Sequence, residues 1–225
     1  MARLPRLTVP GQVHWIIQRG HSGRTVFADA ADRATFARLL QAAAAAEQVR
    51  LHAFSLADTE VQLLATPQDG PSLSRLMQSL GRGYVSAHHR RHGGSGTLWD
   101  GRFRCAVVEP GGTLLDVLCL IDTRAIAHGA VWCEARRGGA GTAGAAALAD
   151  PEEYWQLGNT PFARQAAWQR RLEQGLDEQR SRTLQQAALG GWVVGSAAFA
   201  SLIGSAAARP MAPRPPGRPR RAAAV

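Results

Sequence analysis

The pattern of apolar and polar positions predicts short strands that alternate with amphipathic helices over the first 130 or so residues. Runs rich in β-branched and aromatic residues indicate strands at residues 13–18, 51–56, 60–66 and 103–108. Apolar residues at helical spacing indicate helices at residues 29–47, at residues 113–128 and from Ser72, the expected N-cap of the middle helix. This order contains the split βαβ arrangement of ferredoxin-like folds. We therefore predict an α+β domain with an antiparallel sheet and helices on one face.

Composition changes after this region and predicts four segments. Residues 138–149 are dominated by glycine and alanine, which is typical of a boundary. Charged and apolar positions beyond it predict one helix at residues 162–187 and another at residues 189–205. The segments are a domain at 1–135, a linker at 136–150, a helical extension at 151–208 and a disordered proline- and arginine-rich tail at 209–225.

Charge favours a polyanionic partner. The formal net charge is +9, all 26 basic side chains are arginine, and the last 17 residues carry arginines without any acidic residue. Both nucleic acids and anionic membranes attract such a chain. The three cysteines are odd in number and lack paired metal spacing, and the first ten residues lack a continuous apolar run. We therefore expect a cytoplasmic protein without membrane attachment.

The most informative stretch is residues 72–104. Its helix has an apolar face and a basic face, and it leads into a glycine-rich loop that carries Trp99, with no acidic residue before Asp100. Arginines, an aromatic side chain and a flexible loop can together contact phosphates and bases. The alternative is a solvated basic face beside a tryptophan of the core.

Several segments resemble the single-tyrosine HUH transposases of bacteria, and within them the REP-associated tyrosine transposases. The matching text is LPRLTVPGQVHWIIQRG (4–20), LSRLMQSLGRGYV (73–85), GTLWDGRFR (96–104) and LLDVLCLIDTRAIAHGAV (114–131). In the C-terminal part, LGNT (157–160), GGWVVGSAAF (190–199) and GRPRR (217–221) are also similar. The resemblance implies a ferredoxin-like domain that binds hairpin DNA and cuts one strand with a tyrosine. It also implies two histidines that hold a divalent metal on the scissile phosphate.

The residues expected to perform this chemistry are replaced. The strand that should carry His-x-His reads Glu60-Val61-Gln62, and the tyrosine position holds Leu120, which cannot attack phosphorus. Asp122 matches an acidic position that assists the metal. No catalytic residue and no metal site is intact. The oxygen ligands of Glu60, Gln62 and Asp122 leave weak Mg²⁺ or Mn²⁺ binding as an alternative to a solvated or salt-bridged strand edge.

The DNA-facing side implied by the resemblance remains rich in arginine. Tyr84 could contact DNA or, as a weak substitute, act as the nucleophile, and Trp99 could stack on an unpaired base. The tail motif GRPRR resembles part of an AT-hook, although Pro216 replaces its leading arginine. The expected DNA-binding residues are Arg19, Arg24, Arg75, Arg82, Tyr84, His88, Arg90, Arg91, Trp99, Arg102, Arg104, Arg218, Arg220 and Arg221.

Three hypotheses follow. The first is a transposase-family protein that binds single-stranded hairpin DNA and has lost cleavage chemistry, with no cofactor. The second is an active metal-dependent transposase or single-strand endonuclease with a noncanonical site. The third is a decayed product that folds without binding specifically. The sequence leaves enzymatic activity undecided, and it leaves the oligomeric state open between a monomer and a homodimer.

Overall fold

Four antiparallel strands form one sheet in the computed structural model, which describes residues 6–129, 136, 148–206 and 211. The strands are β1 (His14–Arg19), β2 (Val49–Ala57), β3 (Glu60–Pro67) and β4 (Arg104–Val107). Their order across the sheet is β2-β3-β1-β4, so β1 and β3 are central and β2 and β4 are the edges. The α+β class and the ferredoxin-like sheet are confirmed.

Seven α-helices accompany the sheet in the described part of the chain. They are α1 (Ala30–Ala46), α2 (Ser72–His92), α3 (Gly112–Ala127), α4 (Glu152–Trp155), α5 (Pro161–Gln174), α6 (Glu178–Gly190) and α7 (Ala197–Ala206). Asp29 caps α1, because its side chain accepts the backbone N–H groups of Ala31 and Asp32. Ser72 was expected to be a cap but is the first residue of α2, and its hydroxyl donates instead to the carbonyl of Asp69 at 2.8 Å.

Helices α1 and α2 cover one face of the sheet. Ile16 and Leu63 point from the central strands into this core, where they belong to one cluster with Phe36 and Leu80. Alternation along the strands sends these side chains to one face and their neighbours to the other. The apolar face of α2 that the sequence predicts is therefore the face that packs on the sheet.

The second face is also covered, by α3 and the helices that follow it. Trp15 and Ile17 lie in a core cluster with Trp168 of α5 and Leu184 of α6, and both tryptophans are fully buried. Helices therefore lie on both faces of the sheet, whereas the sequence predicted them on one. The reason is that the C-terminal extension supplies enough apolar surface to shield the sheet face that would otherwise meet solvent.

The extension is divided differently from the sequence prediction. The single helix predicted at residues 162–187 is two helices, because Gly175 adopts φ +63° after α5 and Asp177 caps α6 through the N–H of Arg180. The helix predicted from residue 189 begins only at residue 197. Before it, Val194 forms a parallel bridge with Val108 beside β4.

Segments beyond the sheet also reach its other edge. The N–H of Ala149 donates to the carbonyl of Leu51 on β2 at 2.8 Å, and His52 donates to the carbonyl of Ala149 at 2.5 Å. Most of the predicted linker and all but Met211 of the predicted tail lie outside the described residues. The proposed domain boundaries therefore remain predictions. Within the described helices, none is long and apolar enough to cross a bilayer.

Burial of His14 predicts a loss of stability in mild acid. Its Nδ1–H donates to the carbonyl of Gln12 at 2.8 Å, and its Nε2 accepts the N–H of Val9 at 3.1 Å. Both nitrogens of the neutral ring therefore have a hydrogen-bond partner. Burial lowers the pKa of His14 to about 4. As the pH falls, His14 is protonated in the unfolded chain at a higher pH than in the folded protein. Its contribution to the free energy of unfolding is therefore fully present above pH 6.5 and is lost as the pH drops towards 4. We expect this histidine to contribute a loss of about 3 kcal/mol.

The pH dependence of the unfolding free energy, measured by urea denaturation between pH 7 and pH 4, checks this expectation. His14→Gln cannot be protonated and should show a smaller loss over the same interval, even if it starts from a lower stability. An equal loss in both proteins would contradict the role assigned to His14.

Candidate nucleic-acid interface

Backbone hydrogen bonds join the glycine-rich loop at residues 93–103 to the end of β1. The N–H of His21 donates to the carbonyl of Leu98 at 3.0 Å, and the N–H of Asp100 donates to the carbonyl of Arg19 at 2.8 Å. Gly20 between them has no room for a side chain, since a Cβ there would lie 2.1 Å from the carbonyl oxygen of Arg24. The loop therefore holds a defined position next to α2.

Trp99 anchors this loop and is not available for base stacking. It is 7% exposed and lies near the rings of Phe36 and Tyr84, at centroid distances of 6.2 and 6.1 Å. Its indole nitrogen is buried without a hydrogen-bond partner among the described residues. The DNA-stacking role expected for Trp99 is corrected to that of a core anchor, because the aromatic cluster provides more apolar contact than the surface does.

Tyr84 is also in the core. It is 1% exposed, and its hydroxyl donates to the carbonyl of Val26 at 2.5 Å. Burial raises the pKa of Tyr84 above its ordinary value, which opposes formation of the phenolate needed for attack on phosphorus. Neither the DNA contact nor the substitute nucleophile expected at Tyr84 agrees with this geometry.

Tyr84→Phe should therefore affect stability and leave DNA binding unchanged. The variant keeps the ring contacts and loses one buried hydrogen bond, so we expect the free energy of unfolding to fall by about 1–2 kcal/mol. Urea denaturation measures the fall, and a hairpin-binding titration of the same sample measures affinity. A large loss of affinity in a folded variant would reassign Tyr84 to the interface.

Two depressions lie between α2 and the loop, and arginines line both. Arg82 lines the first, beside Leu98, and Arg75 and Arg102 line the second. Arg6 also lines the second, with its guanidinium carbon 3.8 Å from the centre of the Phe103 ring. We call the two depressions together the α2–loop groove.

A second basic recess continues from the groove around Arg102. Arg19, Arg102 and Arg104 line it together with Asp100, near the ends of β1 and β4. Arg102 borders both the groove and this recess, so the positive surface passes from α2 around the loop to the sheet edge. The arginines of this surface are distant in sequence, and they come from the strands and the loop as well as from α2.

The expected DNA-binding arginines differ in how far acidic neighbours neutralise them. Arg19 pairs with Glu60, Arg75 pairs with Glu47 and Asp69, and Arg91 pairs with Asp29 and Asp32. Within the described residues, the exposed arginines that pair with no carboxylate within 4.0 Å include Arg24, Arg82, Arg90, Arg102 and Arg104. These five offer the least compensated positive charge for a phosphate backbone. Arg218, Arg220 and Arg221 lie outside the described residues.

Glu60 and Gln62 lie inside the protein and not at a solvated edge. They are 6% and 2% exposed on the central strand β3, and the amide of Gln62 donates to Glu60 at 2.7 Å. Trp15 donates to Gln62 at 3.2 Å, and Arg19 donates to Glu60 at 2.6 Å. Arg124 of α3 approaches the other Glu60 oxygen at 3.4 Å. Of the two fates predicted for this pair, the salt bridge agrees with the structure.

Asp122 takes part in a buried ion pair. It is 1% exposed, and both its oxygens accept from the Arg136 guanidinium at 3.1 Å. The indole N–H of Trp168 donates to one oxygen at 3.2 Å. Burial raises the pKa of Asp122, and the Arg136 charge opposes that shift. Leu120 packs on the same apolar cluster, as a side chain without nucleophilic chemistry.

The divalent metal that the resemblance implies does not fit these residues. Two arginines hold Glu60, a third holds Asp122, and the Gln62 amide is already engaged by Trp15 and Glu60. A cation would have to displace these guanidinium groups from buried carboxylates, and the buried Arg136 would lose one of its two carboxylate partners. No catalytic step through a metal is derived at this position.

Sequence reasoning missed three arginines that define these sites. They are Arg6, Arg124 and Arg136, of which Arg136 falls in the predicted linker. The spacing on α3 gave no signal for Arg124, because residues two positions apart on a helix do not share a face. For Arg136 the glycine-rich surroundings gave no indication of burial.

No family model and no curated protein matches this chain. A solved REP-associated tyrosine transposase bound to a REP hairpin is similar, with a TM-score of 0.48 and 13% identity over 57% of this chain and 75% of the other. A "putative transposase" from Deinococcus radiodurans R1 has a TM-score of 0.36 and 21% identity over 55% of this chain and 98% of the other. These descriptions fit the suspected resemblance. Because the identities and TM-scores are low, family membership does not follow from them.

Proposed function

We propose that this chain is a transposase-like DNA-binding protein that recognises single-stranded hairpin DNA and no longer cleaves it. The observation that carries the proposal is the positive surface formed by the α2–loop groove and the recess beyond Arg102. Its exposed arginines come from separate elements of a rigid sheet and helix scaffold, as recognition of a shaped nucleic acid requires.

The arginines at these two depressions suit a phosphate backbone. Arg82 lines the first and Arg102 the second, while the nearby rings of Trp99 and Phe103 are largely buried. Affinity should therefore come mainly from charge and from the shape of the folded DNA. Arginine forks can add contacts to guanine where a base edge is exposed.

Loss of cleavage is supported by the state of the implied catalytic positions. Leu120 replaces the nucleophile, and arginines neutralise the acidic groups at Glu60 and Asp122. Phosphodiester attack needs both a nucleophile and stabilisation of the developing charge. An active transposase with a noncanonical site remains the alternative to be tested.

Binding and cleavage can be measured in one experiment. Labelled single-stranded hairpin DNA from the flanks of the gene, and a scrambled strand of equal length that cannot fold, are incubated with the full chain and Mn²⁺ at 150 mM salt. Native gels report affinity, and denaturing gels report covalent protein–DNA adducts. We expect about tenfold or greater preference for the hairpin and no adduct.

The outcomes separate the three hypotheses. An adduct or a shortened strand would overturn the loss of cleavage and favour the active enzyme. Equal binding of hairpin and scrambled DNA would overturn hairpin recognition and favour a decayed protein with only general attraction to polyanions. A cytoplasmic location and a single-stranded target remain predictions until such tests are made.

A further inference from the structure

Two histidines and one aspartate meet at the open end of the α1–α2 pair, on the sheet face opposite Glu60 and Asp122. One ring nitrogen each from His88 and His92 and one carboxylate oxygen of Asp32 all lie within 4.8 Å of one another. The histidines are one helical turn apart on α2, so both rings lie on the same side of the helix. Asp32 comes from the first turn of α1 and is 2% exposed.

Hydrogen bonding within the described residues explains only part of this cluster. His92 Nε2 lies 2.9 Å from both Asp32 oxygens, and the carboxylate also accepts the N–H of Ala28 at 2.9 Å. His88 is different, because its Nδ1 is buried and has no hydrogen-bond partner among those residues. A buried ring nitrogen without a partner costs free energy unless a ligand uses it. Burial also lowers the pKa of His88, which favours the neutral ring that metals bind.

We propose that Asp32, His88 and His92 form a transition-metal site that takes Zn²⁺ or a similar divalent ion. Two imidazoles and a carboxylate are a common ligand set for such ions, and a pair of histidines four residues apart on a helix is a recurrent part of it. Bonds of about 2.0–2.2 Å to a tetrahedral ion put the ligand atoms about 3.3–3.6 Å apart. His92 and Asp32, now 2.9 Å apart, have to separate slightly, and the widest separation in the cluster, which is within 4.8 Å, has to close by up to about 1.5 Å to fit those bonds. Rotation of exposed or half-exposed histidine rings provides that movement, and water completes the coordination.

Arg91 is the natural competitor of the ion. Its guanidinium donates to Asp32 at 2.5 Å and to Asp29 at 2.5 and 2.8 Å. Asp29 can retain Arg91 when a metal takes the Asp32 oxygen, so the guanidinium keeps a partner. Metal binding would then replace an ion pair at the end of α2 with bonds between α1 and α2. Since the glycine-rich loop begins directly after His92, the ion would fix the start of that loop.

A Co²⁺ titration of the full, tag-free and chelator-treated chain tests the site. Four-coordinate Co²⁺ gives strong visible absorption, so both stoichiometry and geometry can be measured, and Zn²⁺ should displace it. We expect one ion per chain. Removing a residue that only hydrogen-bonds to a metal ligand typically weakens metal binding about 10–100-fold. Because His88 and His92 are proposed as ligands themselves, we expect His88→Ala and His92→Ala to weaken it by about 100-fold or more.

Three further measurements distinguish ligation from a merely structural role. His89→Ala alters a neighbouring histidine outside the cluster and should bind Co²⁺ like the wild type. Arg91→Ala removes the competing cation and should bind more tightly. Zn²⁺ at a hundredfold excess over its Kd should raise the wild-type Tm by about 5–10 °C and that of His88→Ala by no more than about 2 °C.

The proposal is overturned if the wild type fails to bind Co²⁺ at 100 µM, or if His88→Ala binds as well as the wild type. His88→Ala removes no hydrogen bond that joins the described residues, so its fold should persist, and circular dichroism before metal addition verifies this. Because the probe is the metal alone, failure here leaves the proposed DNA binding unaffected.

Discussion

Asp122→Ala is expected to lower the free energy of unfolding by about 3–5 kcal/mol. The substitution leaves Arg136, which is 3% exposed, with a buried charge whose remaining partners among the described residues are Asp150 and the carbonyl of His52. It also removes the acceptor for the Trp168 indole, which is in the centre of the second core. Urea denaturation followed by far-UV circular dichroism measures the change.

Two control variants show whether burial is the cause. Glu178→Ala breaks the exposed pair with Arg182 and should cost less than about 0.5 kcal/mol. Asp122→Asn keeps an acceptor of similar shape but no charge, so its cost should lie between the other two. A loss below about 1 kcal/mol for Asp122→Ala would show that water, and not a low-dielectric core, surrounds the ion pair.

Replacing Arg82, Arg102 and Arg104 together by alanine is expected to weaken hairpin binding by at least about 100-fold. Each exposed arginine that contacts a phosphate contributes about 1.5 kcal/mol through a charge-assisted hydrogen bond. Each also releases counterions, so the slope of log affinity against log salt should become shallower by about two. Fluorescence anisotropy at several salt concentrations measures both quantities.

The matched control removes the same charge elsewhere. Arg38, Arg50 and Arg170 are exposed residues of α1, β2 and α5, outside the residues that line the α2–loop groove and the recess beyond Arg102. Their triple alanine variant should lose less than about fivefold in affinity, through net charge alone. Similar losses in both triple variants would mean that the protein attracts DNA through its overall charge and has no defined interface.

Local sequence patterns predicted most of the sheet and the helices on its first face. Observed β3 ends one residue from the predicted end, and α1 lies within the predicted helix, because alternation and capping are encoded locally. Coverage of the second face was not foreseen. It depends on which apolar residues of α5 and α6 meet Trp15, and that is a contact between distant segments.

For the candidate site, the sequence predicted exposure but not function. Arg102 and Arg104 are exposed, since charge keeps them in water, and their DNA-binding role stays a prediction. The DNA contacts predicted for Trp99 and Tyr84 disagree with their burial. An aromatic residue near a basic helix can lie at the surface or in the core, and the sequence does not show which, because packing between distant segments decides it. The pairing of Asp122 with Arg136 could not be predicted, because their side chains meet across a segment with no regular periodicity.

Both edges of the sheet carry backbone hydrogen bonds from later parts of the chain. Ala149 donates to β2, while Val194 donates to Val107 of β4 and accepts from Glu109. Open strand edges are the usual place where one copy of a protein adds its strand to another. These segments would have to be displaced before such pairing could spread, so if this chain forms a homodimer, we expect the contact to involve helices or loops. Fusion or labelling at those surfaces would then disturb self-association more than changes at the sheet edges.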